Sequence, residues 1–154
     1  MQNFSEIQAL MKSDMEKTDN ILIDRLNSNV DLINQMSHYI IASGGKRLRP
    51  LLLLLSARAT NYNGKDHHAM AVVIELIHTA TLLHDDVVDE STTRRGQEAA
   101  NELWGNAPSV LVGDFLYSRA FEIMVEPNSM AIMRILSKTT NQIAEGEVLQ
   151  LLNI

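Results

Sequence analysis

From Met70 to Leu83 the chain is apolar on nearly every face of a helix, and it runs without a break into His84-Asp85-Asp86-Val87-Val88-Asp89-Glu90. A helix that is apolar all round must be covered on all sides by other elements. Crossing a bilayer takes about 20 consecutive apolar residues, and this stretch is shorter and interrupted by Glu75 and His78. Residues 66–89 therefore read as the central helix of a helical bundle, ending in a cluster of aspartates.

Other segments supply helices to wrap it. Phe4, Ile7, Leu10, Met11 and Met15 fall at helical spacing in residues 3–18, and apolar residues from Ile21 to Ile40 predict a second helix over about 20–42. Ser43-Gly44-Gly45 stops it, and Pro50 suits the first turn of a third helix running to about Asn61. Ser91 to Gly96 reads as a polar loop. Further helices are expected from Asn106 to about Val125, where Glu126-Pro127-Asn128 ends the pattern, and over 129–152. No alternating strand pattern stands out, and only three prolines and seven glycines interrupt the chain. The fold class is all-α, and 154 residues suit a single domain.

Charge and composition narrow the function. A net charge of −6 argues against nucleic acid as a partner. With no cysteine there is no disulfide or thiolate chemistry. The polar, mixed-charge start is not a signal peptide, and the run Leu51–Leu55 is too short to span a membrane. A soluble, cytoplasmic protein is expected, with no transmembrane segment.

Three clusters carry the chemistry. Asp85 and Asp89 are four residues apart and share a helix face, with Asp86 beside them, and His78 lies seven residues earlier on nearly the same stripe. Like charges so placed repel unless a cation neutralises them, and an all-oxygen donor set suits Mg²⁺. A solvated acidic helix end is the plainer alternative, although acid there opposes the helix macrodipole. The second cluster is Gly44-Gly45-Lys46-Arg47-Leu48-Arg49-Pro50, where cations precede a helix start, a combination that binds phosphate. The third is Arg94-Arg95-Gly96, whose guanidiniums could grip diphosphates by bidentate contacts. A connecting basic loop and ordinary surface arginines are the alternatives for these two.

In this order, Gly-Gly-Lys-Arg-x-Arg-Pro, His-x6-Asp-Asp-x-x-Asp and Arg-Arg-Gly resemble the N-terminal half of the trans-prenyl diphosphate synthases. Val112-Gly113-Asp114-Phe115-Leu116 and Ala144-Glu145-Gly146-Glu147 agree, and the run His78–Asp86 is most similar to the long-chain members. The resemblance implies the isoprenoid-synthase type of helical bundle and a prenyltransferase. Such an enzyme condenses isopentenyl diphosphate with an allylic prenyl diphosphate, with Mg²⁺ as cofactor. It further implies a homodimer and a membrane-seeking polyprenyl product. Asp85 and Asp89 match the family's magnesium ligands, with Asp86 in the same catalytic motif. Arg94 matches the allylic diphosphate site, and Lys46, Arg49, His78 and Arg95 match the isopentenyl diphosphate site. Small residues upstream of the aspartates, Ala80 and Thr81, imply a long product, with room for it along the helix wall.

The family also carries a second aspartate-rich motif and a lysine-threonine pair further on, and this sequence stops at Ile154 before either. The chain therefore reads as the N-terminal part of a longer enzyme, inactive by itself. A non-catalytic subunit of a prenyl synthase and a class I terpene cyclase are the competing readings. The intact aspartates weigh against the first, and the second diphosphate site against the other.

Overall fold

The structure, a computed structural model, describes residues 3–153. Among them are α1 (Phe4–Leu10), α2 (Lys12–Arg25), α3 (Asp31–Ala42), α4 (Leu48–Ala59), α5 (His67–Val88), α6 (Ala100–Trp104), α7 (Asn106–Met124) and α8 (Met130–Leu152). A two-stranded antiparallel ladder, β1 (Thr93–Arg94) with β2 (Gln97–Glu98), is the sole sheet among the described residues. The all-α class holds.

Two compact units emerge, one up to Ile123 and one from Met124. In the larger unit α5 is the axis. Eleven of its residues are buried, including Val72, Val73, Leu76, Ala80 and Leu83 on different faces, as its apolar pattern requires. Helices α2 and α4 pack along it, and Met11, Leu51, Leu54 and Ala71 meet in one core cluster beside Phe4, Ile7 and Met15. The smaller unit is chiefly α8, capped by the Ser129 hydroxyl, which accepts from the Ile132 N–H at 3.3 Å. Val148, Leu149, Leu151 and Leu152 are exposed on it.

Four local expectations are corrected. The first predicted helix is split at Met11, the C-cap of α1 and N-cap of α2. The single helix predicted over 20–42 is two helices, broken at residues 26–30. There the Asn34 side chain accepts from the Ser28 N–H at 3.0 Å and donates to the Ser28 carbonyl at 2.8 Å. Those bonds satisfy the turn and outweigh the continuing apolar period. The loop after Asp89 contains the β1–β2 ladder, and the short helix α6 was not foreseen.

The end of α5 sets the path of the chain beyond it. Asp89 is its C-cap and Glu90 adopts a left-handed conformation (φ 54°). The Ser91 N–H then donates to the Asp86 carbonyl at 2.9 Å and the Glu90 N–H to the Val87 carbonyl at 3.3 Å, a Schellman turn. The chain reverses, and Arg95 and Gly96 (φ 52° and 78°) close the hairpin in the conformation that two-residue turns favour.

Helix α7 crosses α5 at Gly113. A Cβ there would overlap the His84 ring, whose Nε2 lies 3.0 Å from the Val110 carbonyl oxygen and 3.3 Å from Asp114 Oδ1. We expect Gly113→Ala to cost about 1–3 kcal/mol through overpacking. Thermal denaturation checks it: an unchanged melting temperature would mean that the His84 ring yields freely.

Candidate functional site

The C-terminal half of α5, the end of α3, the loop before α4 and the hairpin line a cleft that opens to solvent, with about 570 Å³ of empty space. Its floor is apolar, with Ile40, Ile41, Leu82 and Leu83, and Arg47, His78, Asp86, Arg94 and Arg95 supply its polar lining.

Asp86 is only 3% exposed, and its charge is met by Arg94. The guanidinium binds both carboxylate oxygens, Nε to Oδ2 at 2.8 Å and Nη2 to Oδ1 at 2.6 Å. This hydrogen bond with Asp86 holds the Arg94 pKa above its usual value against the opposing effect of burial. Asn101 pins the turn by donating to the Ser91 carbonyl at 2.8 Å. The hairpin thus returns to the helix that it leaves, and Asp86 is its anchor. Asp85 is half-buried and Asp89 exposed at the same end of α5.

A second group lies about two turns earlier. His78 Nε2 sits 3.3 Å from Arg49 Nη1. A guanidinium only donates, so this nitrogen accepts and the imidazole is neutral. Burial, then the charges of Arg49, Arg95 and Arg94, push the His78 pKa down to about 4. Arg95 donates to the Ser43 carbonyl at 3.3 Å, and its guanidinium carbon lies 3.0 Å from where a Cβ on Gly45 would stand. Gly45 therefore makes room for Arg95. Arg47 is left-handed (φ 53°) and pairs with Asp19 at 3.2 Å.

Of the sequence candidates, His78, Asp86, Arg94 and Arg95 line one cleft, and Arg49 joins them through His78. Lys46 does not line it. Its ammonium lies 5.5 Å from the Phe4 ring centroid. Asp85 and Asp89 stand at the end of the helix and are not part of the lining. Ala80 is wholly buried and Thr81 half-buried.

Sequence reasoning passed over Glu75, which is 8% exposed and lines the cleft three residues before His78. Burial raises its pKa, against the lowering effect of Arg47, Arg95 and Arg49. The signal was a lone acid one turn from a lone histidine in an apolar helix. Tyr39 was also missed. Its hydroxyl donates to the Glu98 carbonyl at 2.7 Å and ties α3 to the hairpin.

The sequence model of the polyprenyl synthetase family matches residues 30–154. An octaprenyl diphosphate synthase of Escherichia coli is 52% identical over 152 residues, which is 99% of this chain and 47% of that protein. A solved polyprenyl synthase from Caulobacter crescentus, in complex with calcium and isoprenyl diphosphate, superposes with a TM-score of 0.91 at 50% identity, over 94% of this chain and 44% of that one. A decaprenyl diphosphate synthase structure from Rhodobacter capsulatus gives 0.90 at 46% identity, over 96% and 46%. The chain spans about half the length of the curated relatives it matches.

Two outcomes are expected from this geometry. Asp86→Ala should destabilise the fold by about 2–3 kcal/mol, short of the full cost of breaking a buried pair because Arg94 is partly solvated. Urea denaturation measures it, and no change would mean that the hairpin needs no anchor. The His78 pKa lies below the ordinary value of 6.5, so the unfolded chain binds more protons between the two values. Stability should therefore be fully present above about pH 6.5 and fall as pH drops towards 4. Titration of the His78 ring by NMR should give a midpoint near 4, and a midpoint above 6 would exclude this environment.

Proposed function

The chain belongs to the polyprenyl synthetase family, and on that premise we propose that it forms the N-terminal part of the single all-α domain of a trans-prenyltransferase. The reaction is condensation of isopentenyl diphosphate with an allylic prenyl diphosphate to give a long-chain polyprenyl diphosphate. The identity to octaprenyl diphosphate synthase supports an octaprenyl product. The observation that carries the reading is one cleft in which His78, Arg94 and Arg95 converge beside the aspartate-bearing end of α5. We further propose that the enzyme acts as a homodimer in the cytoplasm. No described helix is long and apolar enough to cross a membrane, although the product itself seeks one.

Magnesium fits the donor set. Asp86 is engaged by Arg94, and Asp85 and Asp89 are the other two carboxylates of the motif, one turn apart. Magnesium takes one or two carboxylates and completes its shell with water and substrate phosphate. Calcium in the Caulobacter relative supports a divalent cation in this family. When bound, the metal supplies Lewis-acid stabilisation of charge on a leaving pyrophosphate.

The chain's own residues bind and orient. Arg94 gives two of its nitrogens to Asp86 and keeps Nη1 for the allylic diphosphate. Asp86 thereby fixes the plane of the guanidinium before substrate arrives, which is preorganisation. Arg49, His78 and Arg95 hold isopentenyl diphosphate, with neutral His78 accepting from Arg49 through Nε2 and offering Nδ1–H as a donor, and Lys46 joins them only by leaving the Phe4 ring. Separate cationic grips fix the two reacting carbons against each other. The apolar floor keeps water from the allylic cation.

In the full-length protein that carries this chain, Asp85→Ala should lower kcat by about two orders of magnitude or more, a usual loss for a key electrostatic group. Turnover near the parent's in saturating magnesium would remove the metal role. Arg95→Gln should chiefly raise KM for isopentenyl diphosphate, and Arg94→Gln chiefly KM for the allylic substrate. Equal effects of both variants on both substrates would refute the division into two sites.

A further inference from the structure

At the other end of α5, away from the cleft, two histidines and an aspartate from distant parts of the sequence meet. Asp14 on α2 and the adjacent His67 and His68 at the start of α5 each bring one donor atom within 4.8 Å of the others. All three are half-buried. His68 Nε2 and Asp14 Oδ1 are 2.8 Å apart. The two imidazole rings are inclined by 38° with centroids 4.0 Å apart, and Tyr62 packs edge-on against His67 at 5.2 Å. His67 Nδ1 is buried and has no hydrogen-bond partner.

We propose that Asp14, His67 and His68 form a binding site for a borderline divalent transition metal of the zinc type, which clips α2 to the first turn of α5. Two imidazoles and one carboxylate are the donor set that zinc prefers over magnesium. Zinc–ligand bonds of about 2.0–2.2 Å in a tetrahedron put donor atoms about 3.4 Å apart, so small side-chain rotations from the present arrangement complete the three-ligand set. A water takes the fourth position. The orphaned His67 nitrogen gains a partner, a gain that a simple His68–Asp14 hydrogen bond does not provide.

Burial above all depresses the His67 pKa, which favours the neutral ring that a metal needs. Burial tends to raise the Asp14 pKa, but the hydrogen bond from His68 and the nearby cations outweigh it, so the carboxylate stays ionised. That hydrogen bond puts a proton on His68 Nε2, which a metal bound there displaces. Arg58 Nε lies 3.4 Å from Asp14 Oδ2, and it is the group a metal would compete with. Its side chain is 53% exposed and can turn to solvent. Lys17 opposes the metal more weakly, and Asp66 favours it.

The site is separate from the aspartate motif. Eighteen residues of helix part His67 from Asp85, about 27 Å at 1.5 Å per residue. A ligand held only by the folded chain stabilises it by mass action, so zinc should raise the melting temperature where magnesium does not.

Zinc chloride titrated into the full chain, followed by two-dimensional NMR of the imidazole carbons, tests this directly on the unaltered protein. The His67 and His68 resonances should shift together at one equivalent while those of His38, His78 and His84 stay in place. Shifts confined to the other histidines, or no shift at a tenfold excess of zinc, would overturn the proposal. His68→Gln and Asp14→Asn should each weaken zinc binding at least tenfold in calorimetry, with circular dichroism confirming the fold. Unchanged affinity in a folded variant would overturn it equally.

Discussion

Helix α5 is buried along most of its length, and a buried helix can carry polar side chains only where its neighbours answer them. Two elements of the larger unit are placed by that requirement. Asp86 calls for a cation, and the hairpin turns back to deliver Arg94. The turn itself holds because Asn101 completes its carbonyls. Where α7 crosses, His84 needs a partner for its ring nitrogen and finds the Val110 carbonyl, and the close approach leaves no room for a side chain on Gly113. Apolar burial fixes where the helix lies, while the polar residues on it determine which segments come back to it and at what height.

The cleft shows the electrostatic side of the same constraint. Arg47, Arg49, Arg94 and Arg95 stand around a single histidine and a single buried glutamate. Asp86 and Asp19 neutralise part of that charge, yet the histidine is driven to its neutral form, and burial holds the Glu75 carboxyl above its ordinary pKa despite the arginines. Guanidiniums cannot shed their protons at any ordinary pH, so the positive side of the cleft is permanent. Bidentate, planar donors of this kind suit the diphosphates proposed above as substrates.

Much of this was legible in the sequence. The all-round apolarity of residues 70–83 located the axis of the bundle, and the order of glycine-basic, aspartate and arginine clusters indicated the chemistry. What escaped has physical causes. The break at residues 26–30 depends on Asn34 reaching back six residues to Ser28, a contact that periodicity cannot register. The β1–β2 ladder is two residues long, below any alternation signal. Asp86 looked like a third magnesium-motif carboxylate, and only the fold reveals that it is turned inward onto Arg94. Lys46 reads like its neighbours as a phosphate cation, whereas in space it lies against Phe4. Spacing tells which side chains share a helix face, but not what a returning loop will set against them.

The left-handed residues add one more consequence. Among the described residues, five non-glycine positions have positive φ. Asn61 ends α4 and Asn128 lies in the turn before α8, and asparagine tolerates that conformation readily. The other three are Arg47, Glu90 and Arg95, which do not, and all three stand at the edges of the cleft or the aspartate motif. Such conformations cost of order 1 kcal/mol each and persist only where the surroundings over-determine them. Among the described residues, left-handed backbone at positions other than asparagine and glycine is therefore confined to the cleft and the aspartate motif. Arg47 and Arg95 are placed by their backbone as well as by their side-chain contacts, so a β-branched residue in either position would be strained before any contact was lost.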